Sequence, residues 1–232
     1  MDVEGAFPNA VTQKLIHNLK KRRIPTTYIN FIRLLLTNRR TRIKFDDFTS
    51  DLIEITNGIG QGDPLSMLLY IIYNADLLEI TDDDHLEAAL GYVDDIALIA
   101  IGNNFDESTE KLQNLMVKEN GGLNWSVSHN SQFEINKSAI LHLSRQTRVD
   151  PEQVERRIPL WRPPLIINNQ TITEVQSYKY LGVIIDAQLR WKEQAQRAIA
   201  NATKWLLQYR RLTRPSSGTS AKLMRQDRKS VV

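Results

Sequence analysis

Two adjacent carboxylates, Asp94 and Asp95, stand between two apolar runs, Ala88 to Val93 and Ile96 to Ile101, and this junction constrains the fold more than any other stretch of the chain. Each arm is rich in Ala, Val, Ile and Leu and reads as a buried strand, so the segment predicts a hairpin with acids at its turn. Adjacent carboxylates repel and tend to raise a pKa, and a divalent cation removes that conflict by compensating both charges at once. A solvated Asp-Asp turn explains the same residues, since Asp is a common turn former.

Two further segments bear on the choice. Asn57-Gly58-Ile59-Gly60-Gln61-Gly62-Asp63-Pro64-Leu65-Ser66 leads into the apolar run Met67 to Leu78. It reads as a tight loop feeding a helix, with Asp63 as N-cap, Pro64 in the first turn and glycines that let backbone approach a ligand. An ordinary helix entry has the same composition. At the start, Asp2-Val3-Glu4-Gly5-Ala6-Phe7-Pro8-Asn9 supplies a third carboxylate at Asp2.

The remaining layout alternates helical and extended patterns. Val11 to Arg22 carries apolar Leu15, Ile16 and Leu19 and predicts a helix, followed by a second opened by Pro25 and running to Leu36. A strand pair is expected around Asp46 to Ser50, with Asp46-Asp47 as its turn. An acidic loop spans Thr81 to His85, and a helix runs from about Glu107 to Val117. Ser126 to Gln132 reads as loop, Ala139 to Leu143 as strand, and charged, proline-bearing Gln146 to Pro164 as a linker or surface insertion. A hairpin about Asn168-Asn169, a strand Tyr180 to Ile185 and a helix from about Gln188 to Leu212 follow. Pro215 to Gly218 ends that helix, and a new one begins at Ser220.

In order and spacing these segments resemble the motifs of reverse transcriptases, more narrowly those of fungal non-LTR (LINE-like) retrotransposons. Asp2 to Asn9 is similar to the first catalytic motif, Gly58 to Ser66 to the glycine-glutamine loop, and Tyr92-Val93-Asp94-Asp95 to the family signature. Glu134-Ile135-Asn136-Lys137-Ser138 is similar to the lysine-bearing motif and Tyr178 to Val183 to the primer grip. The resemblance implies an α+β fold: a polymerase palm, an antiparallel sheet packed on helices, with a partial helical thumb and missing fingers. It implies palm over 1–145, the insertion 146–164, a primer-grip-like end of palm over 165–186 and a partial thumb over 187–232.

The implied activity is RNA-directed DNA polymerisation with two Mg2+ ions, Mn2+ being an alternative. Asp2, Asp94 and Asp95 would be catalytic and metal-binding, and Lys137 the proton donor to departing pyrophosphate. Phe7, Gly60, Gln61, Gly62 and Tyr92 would contact substrate, Phe7 by crowding a ribose 2′-hydroxyl; Leu181 and Gly182 would place the primer end. Core packing competes for Phe7, Leu181 and Gly182, and a solvated lysine for Lys137. The implied partners are an RNA template, a DNA primer, deoxynucleoside triphosphates and other retrotransposon segments, in the nucleus. A nucleotide cyclase would share the paired acids but has no use for the glycine-glutamine loop or primer grip.

The sequence of 232 residues has 41% hydrophobic residues, net charge +3 and no cysteine, so disulfides and cysteine-based zinc sites are excluded. No apolar run approaches the roughly 18 residues of a membrane span. Basic clusters at Lys20 to Arg23, Arg39 to Lys44 and from Arg190 onward suit a nucleic-acid backbone or a solvated face; Trp191, Trp205 and Tyr209, interleaved with the last cluster, suit a helix against nucleic acid or packing against the palm. The chain begins one residue before Asp2, which predicts a frayed, poorly held carboxylate and a truncated enzyme impaired on its own. A catalytically inactive retroelement remnant that binds nucleic acid is therefore the alternative reading.

Overall fold

The computed structural model describes residues 1–153 and 155–212; the helix stop expected at Pro215 to Gly218 and the helix expected from Ser220 lie outside them. In chain order the elements are β1 (Val3–Glu4), α1 (Ala6–Asn9), α2 (Thr12–Lys21), α3 (Thr26–Leu36), β2 (Arg39–Thr41), β3 (Lys44–Phe45), β4 (Phe48–Thr49), β5 (Ile53–Ile55), α4 (Pro64–Leu78), β6 (Glu87–Tyr92), β7 (Asp95–Ala100), α5 (Phe105–Val117), α6 (Gly122–Ser128), β8 (Gln132–Phe133), β9 (Ala139–Ile140), β10 (Thr147–Val149), β11 (Arg157–Pro159), β12 (Ile166–Ile167), β13 (Gln170–Thr171), β14 (Thr173–Glu174), β15 (Ser177–Tyr180), β16 (Val183–Asp186) and α7 (Lys192–Leu212). Helices and strands are interspersed, an α+β arrangement. Contacts divide the chain into two compact units, Met1–Ile140 with Arg148–Glu174, and Leu141–Thr147 with the chain from Val175.

The first unit is organised around α4. Its buried residues Leu69, Tyr70, Tyr73, Asn74 and Leu77 recur at spacings of three and four, which puts them on one helical face. Asp63 caps the helix by accepting a hydrogen bond from the Leu65 amide at 2.9 Å, and Pro64 occupies the first turn, where its missing N–H costs nothing. Helix α2 packs on α4 through Leu15, Ile16 and Leu19, and the ends are clasped by charge: Lys21 and Arg22 each reach Asp76 and Glu79 at 2.8–2.9 Å. β6 and β7 form an antiparallel hairpin, with β6 against α4 and β7 against α5. β1 pairs antiparallel with β8 and bridges to β7 at Asp2 and Asp95, so it lies between them. A second apolar cluster, Met116, Ile140, Leu165, Ile167 and Ile172, closes over α5.

The hairpin arms are not buried strands: Leu90, Tyr92 and Ile99 are exposed and only Glu87 and Ile96 are buried, because helices cover one side of the ribbon and leave the other open. Ser126 to Gln132 is not all loop; α6 occupies Gly122–Ser128 because burying Trp125 outweighs the poor helix propensity of Gly and Ser. The strand expected over Ala139 to Leu143 is limited to Ala139–Ile140, paired in parallel with β14. Within Gln146 to Pro164 the chain forms the β10–β11 ribbon. The Asp46-Asp47 and Asn168-Asn169 turns form as expected, with positive φ at Asp46, Asn168 and Asn169.

In the second unit, Tyr180 to Ile185 is not one strand. β15 and β16 pair as a hairpin closed by Leu181 (φ 46°) and Gly182 (φ 86°), both left-handed as a type I′ turn requires. Helix α7 starts at Lys192, later than expected, because the Asp186 carboxylate accepts hydrogen bonds from the backbone amides of Gln188, Arg190 and Trp191 and holds that segment as a turn. Trp191 and Trp205 are about half exposed, and Trp205 lies 6.3 Å from Tyr209, ring to ring.

Candidate active site

The carboxylates meet through backbone pairing. The Tyr92–Asp95 pair closes the β6–β7 hairpin over a two-residue turn, Val93 and Asp94. Asp94 is half-buried and Asp95, already in β7, is exposed. Asp2 is not frayed. The Met1 backbone nitrogen donates to the Ile96 carbonyl at 2.7 Å, the Ile96 amide donates to the Met1 carbonyl at 2.9 Å, and the Glu134 amide donates to the Asp2 carbonyl at 3.0 Å. Hydrogen bonds to β7 on one side and to the segment after β8 on the other fix this residue, which the sequence could not show.

Electrostatics tie Asp2 to Asp94. The Asp2 carboxyl is raised above its usual range by burial first and then by the charge of Asp94; Lys137 opposes the shift, while Glu134 and Asp95 add smaller contributions. Of the charges acting on Asp2, that of Asp94 has the largest effect. Lys137 is exposed, sits in a 3₁₀ turn at Ile135–Lys137 and not at a strand start, and pairs with Glu134 at 2.7 Å, which holds its ammonium above the usual range.

The donor set fits a hard divalent cation. Carboxylate oxygens suit magnesium, whose shell is ordinarily completed by water and phosphate, and a cation beside Asp2 would offset both the burial and the charge of Asp94 that raise its carboxyl. Among the described residues no group of three or more His, Cys, Asp and Glu side chains forms a metal cage. The protein therefore offers Asp2 and Asp94, with Asp95 beside them.

Phe7 and the glycine loop lie against one another at α1. Phe7, in α1, is half-buried with its ring 5.1 Å from that of Tyr70, so packing and an exposed edge coexist. The glycine loop docks on the same segment: the Gly58 amide donates to the Ala10 carbonyl at 2.7 Å and the Ile59 amide to the Phe7 carbonyl at 2.8 Å. Gly58 has φ +88°, and a Cβ there would lie 2.6 Å from the Pro8 carbonyl oxygen, so both conformation and space require glycine. Gly60, Gln61 and Gly62 are exposed beyond this anchor, as is Tyr92 at the hairpin. Leu181 and Gly182 form the β15–β16 turn of the second unit, where the Gly182 carbonyl accepts from Arg197 at 3.2 Å.

Three groups near the site escaped the sequence reading. Arg39, expected among phosphate-neutralising residues, instead donates to the carbonyls of Leu36, Asn57 and Gly58 and staples the glycine loop. Tyr70 is fully buried with no hydrogen-bond partner for its hydroxyl, and burial, then Asp94, Tyr73 and Asp2, raise its pKa. Asn74, also buried, donates to the Val93 carbonyl at 3.0 Å. The one available signal was a lone amide inside the apolar run of α4.

A family model for reverse transcriptase (RNA-dependent DNA polymerase) matches residues 1–185. The RNA-directed DNA polymerase from mobile element jockey of Drosophila melanogaster is 23% identical over 219 residues, covering 89% of this chain and 22% of that protein. The retrovirus-related Pol polyprotein from type-1 retrotransposable element R2 of Nasonia vitripennis is 24% identical over 197 residues, covering 81% and 18%. The probable RNA-directed DNA polymerase from transposon X-element of Drosophila melanogaster is 23% identical over 175 residues, covering 75% and 18%. The chain spans about a fifth of the length of these relatives.

Proposed function

Given that the chain belongs to the reverse transcriptase (RNA-dependent DNA polymerase) family, we propose that it is the polymerase module of a non-LTR retrotransposon, adding deoxynucleotides to a DNA primer on an RNA template. The observation that carries this reading is the strand bridge that brings Asp2 beside the Asp94–Asp95 turn. In this reading β8, β1, β7 and β6 with α4 and α5 make up a palm over 1–145, 146–164 is an insertion, 165–186 ends the palm, and a thumb starts at 187.

Asp2 and Asp94 would hold the divalent ions, two Mg2+ or Mn2+, and Asp95 would be the looser third acid. Such ions, when bound, would supply positive charge for the attacking and leaving oxygens of the displacement of pyrophosphate by the primer 3′-hydroxyl. Lys137, kept protonated by Glu134, offers positive charge and a proton to the pyrophosphate. The partly exposed edge of Phe7, backed by Tyr70, crowds a ribose 2′-hydroxyl and favours deoxynucleotides. Gly60, Gln61 and Gly62 border the nascent base pair, anchored by Gly58 and Arg39. Tyr92 faces the same substrate, and Leu181 with Gly182 positions the primer end.

The test is magnesium-dependent extension of a DNA primer on an RNA template, beside an Asp94→Asn, Asp95→Asn variant. Extension by the native chain and none by the variant is expected. Nucleic-acid binding without extension by either protein would replace the enzyme with a binding remnant.

A further inference from the structure

The turn that carries Asp94 is strained. Val93 has φ +58°, a conformation that the branched Cβ of valine disfavours and that glycine or asparagine would adopt readily. Such a residue keeps this geometry only where its surroundings over-determine it. The direct constraint on its carbonyl comes from α4. Asn74, 3% exposed, donates from Nδ2 to the Val93 carbonyl at 3.0 Å across 19 positions of the chain.

The same side chain holds its Oδ1 buried with no partner, and one helical turn earlier the fully buried Tyr70 hydroxyl is also unpartnered. A buried amide satisfied on one side only is unfavourable, and a leucine would fill a similar volume without that cost. The donor is what distinguishes Asn74 from an apolar residue here.

We propose that Asn74 is a positioning residue: its amide clamps the strained Val93 peptide and thereby sets the carboxylate of Asp94 for metal binding. This rests on the reading of the hairpin tip as the polymerising centre. Asn74 touches neither substrate nor metal in this role. It acts through the backbone, as groups behind metal ligands commonly do.

Three variants test the clamp in the full chain: Asn74→Leu, which removes the donor; Asn74→Asp, which keeps the shape and replaces the donor with a carboxylate; and Asn74→Leu combined with Val93→Asn, which lets the turn form unaided. Deuterium uptake of the segment Leu90 to Ile96, Mn2+ affinity measured with the metal alone by electron paramagnetic resonance, and primer-extension kinetics are read together. Both single variants should exchange faster at the turn and bind Mn2+ roughly 10-fold to 100-fold more weakly. Their kcat should fall by a similar factor with the KM for template–primer unchanged, and Val93→Asn should restore most of each loss.

Wild-type exchange and Mn2+ affinity in Asn74→Leu would overturn the proposal, as would a loss that Val93→Asn does not repair, which marks simple packing. Should Asn74→Leu fail to fold, Asn74→Asp carries the same comparison. Absence of primer extension by the native chain, with exchange and Mn2+ binding as expected, would remove the polymerase reading and leave the clamp standing.

Discussion

At the scale of single residues, the backbone around the site is held by a few positions that tolerate little change. Gly58 combines a left-handed φ with contact to the Pro8 carbonyl, so Gly58→Ala both strains the chain and pushes the glycine loop off α1. The expected cost is at least about 1–3 kcal/mol, read as a lower urea midpoint, and a midpoint equal to that of the native chain would refute the docking argument. Gly62 has a similar φ but open space around it, so Gly62→Asn should cost less than Gly58→Asn in the same measurement. Both residues belong to one motif in sequence. Only their surroundings separate an anchor from an exposed hinge point.

At the scale of elements, the pairing of α2 with α4 depends on a charged clasp as well as on Leu15 and Leu19. Asp76 is mostly covered, and burial alone would raise its carboxyl; hydrogen bonds from Lys21 and Arg22 outweigh this and hold it below its usual 3.8. A carboxylate with a depressed folded pKa adds stability above the unfolded value, and loses it as pH falls through the folded one. Urea midpoints followed from neutral pH to below 3.8 should therefore drop, and Asp76→Asn should remove part of that acid dependence. At neutral pH the same substitution should cost about 1–2 kcal/mol because it weakens bonds to two cations. Glu79→Gln should cost under about 1 kcal/mol, since its carboxylate is half exposed and screened.

At the scale of the whole molecule, net charge is a poor guide to which cations meet a nucleic acid. Lys21 and Arg22 are committed to Asp76 and Glu79, and Arg39 to backbone carbonyls, whereas Arg40, Arg42 and Lys44 are exposed. Binding of an RNA–DNA duplex should weaken with salt, and Arg40→Gln should lower the slope of log affinity against log salt by up to about 0.9, while Lys21→Gln leaves it unchanged. Equal slopes for the two variants would show that the committed cation is released on binding. Sequence alone determined what depends on neighbours along the chain: the acidic turn at Asp94, the Asp63-Pro64 helix entry, the apolar period of α2 and the Asn168-Asn169 turn. These follow from local sterics, capping and spacing, which a few consecutive residues express by themselves. Tertiary structure alone decided that Asp2 is gripped between β7 and β8, that Asn74 holds Val93, that Arg39 staples a loop and that Trp125 makes α6 a helix. Each of those depends on groups far apart in sequence meeting at hydrogen-bond or van der Waals distance, and only the collapsed chain specifies which groups meet.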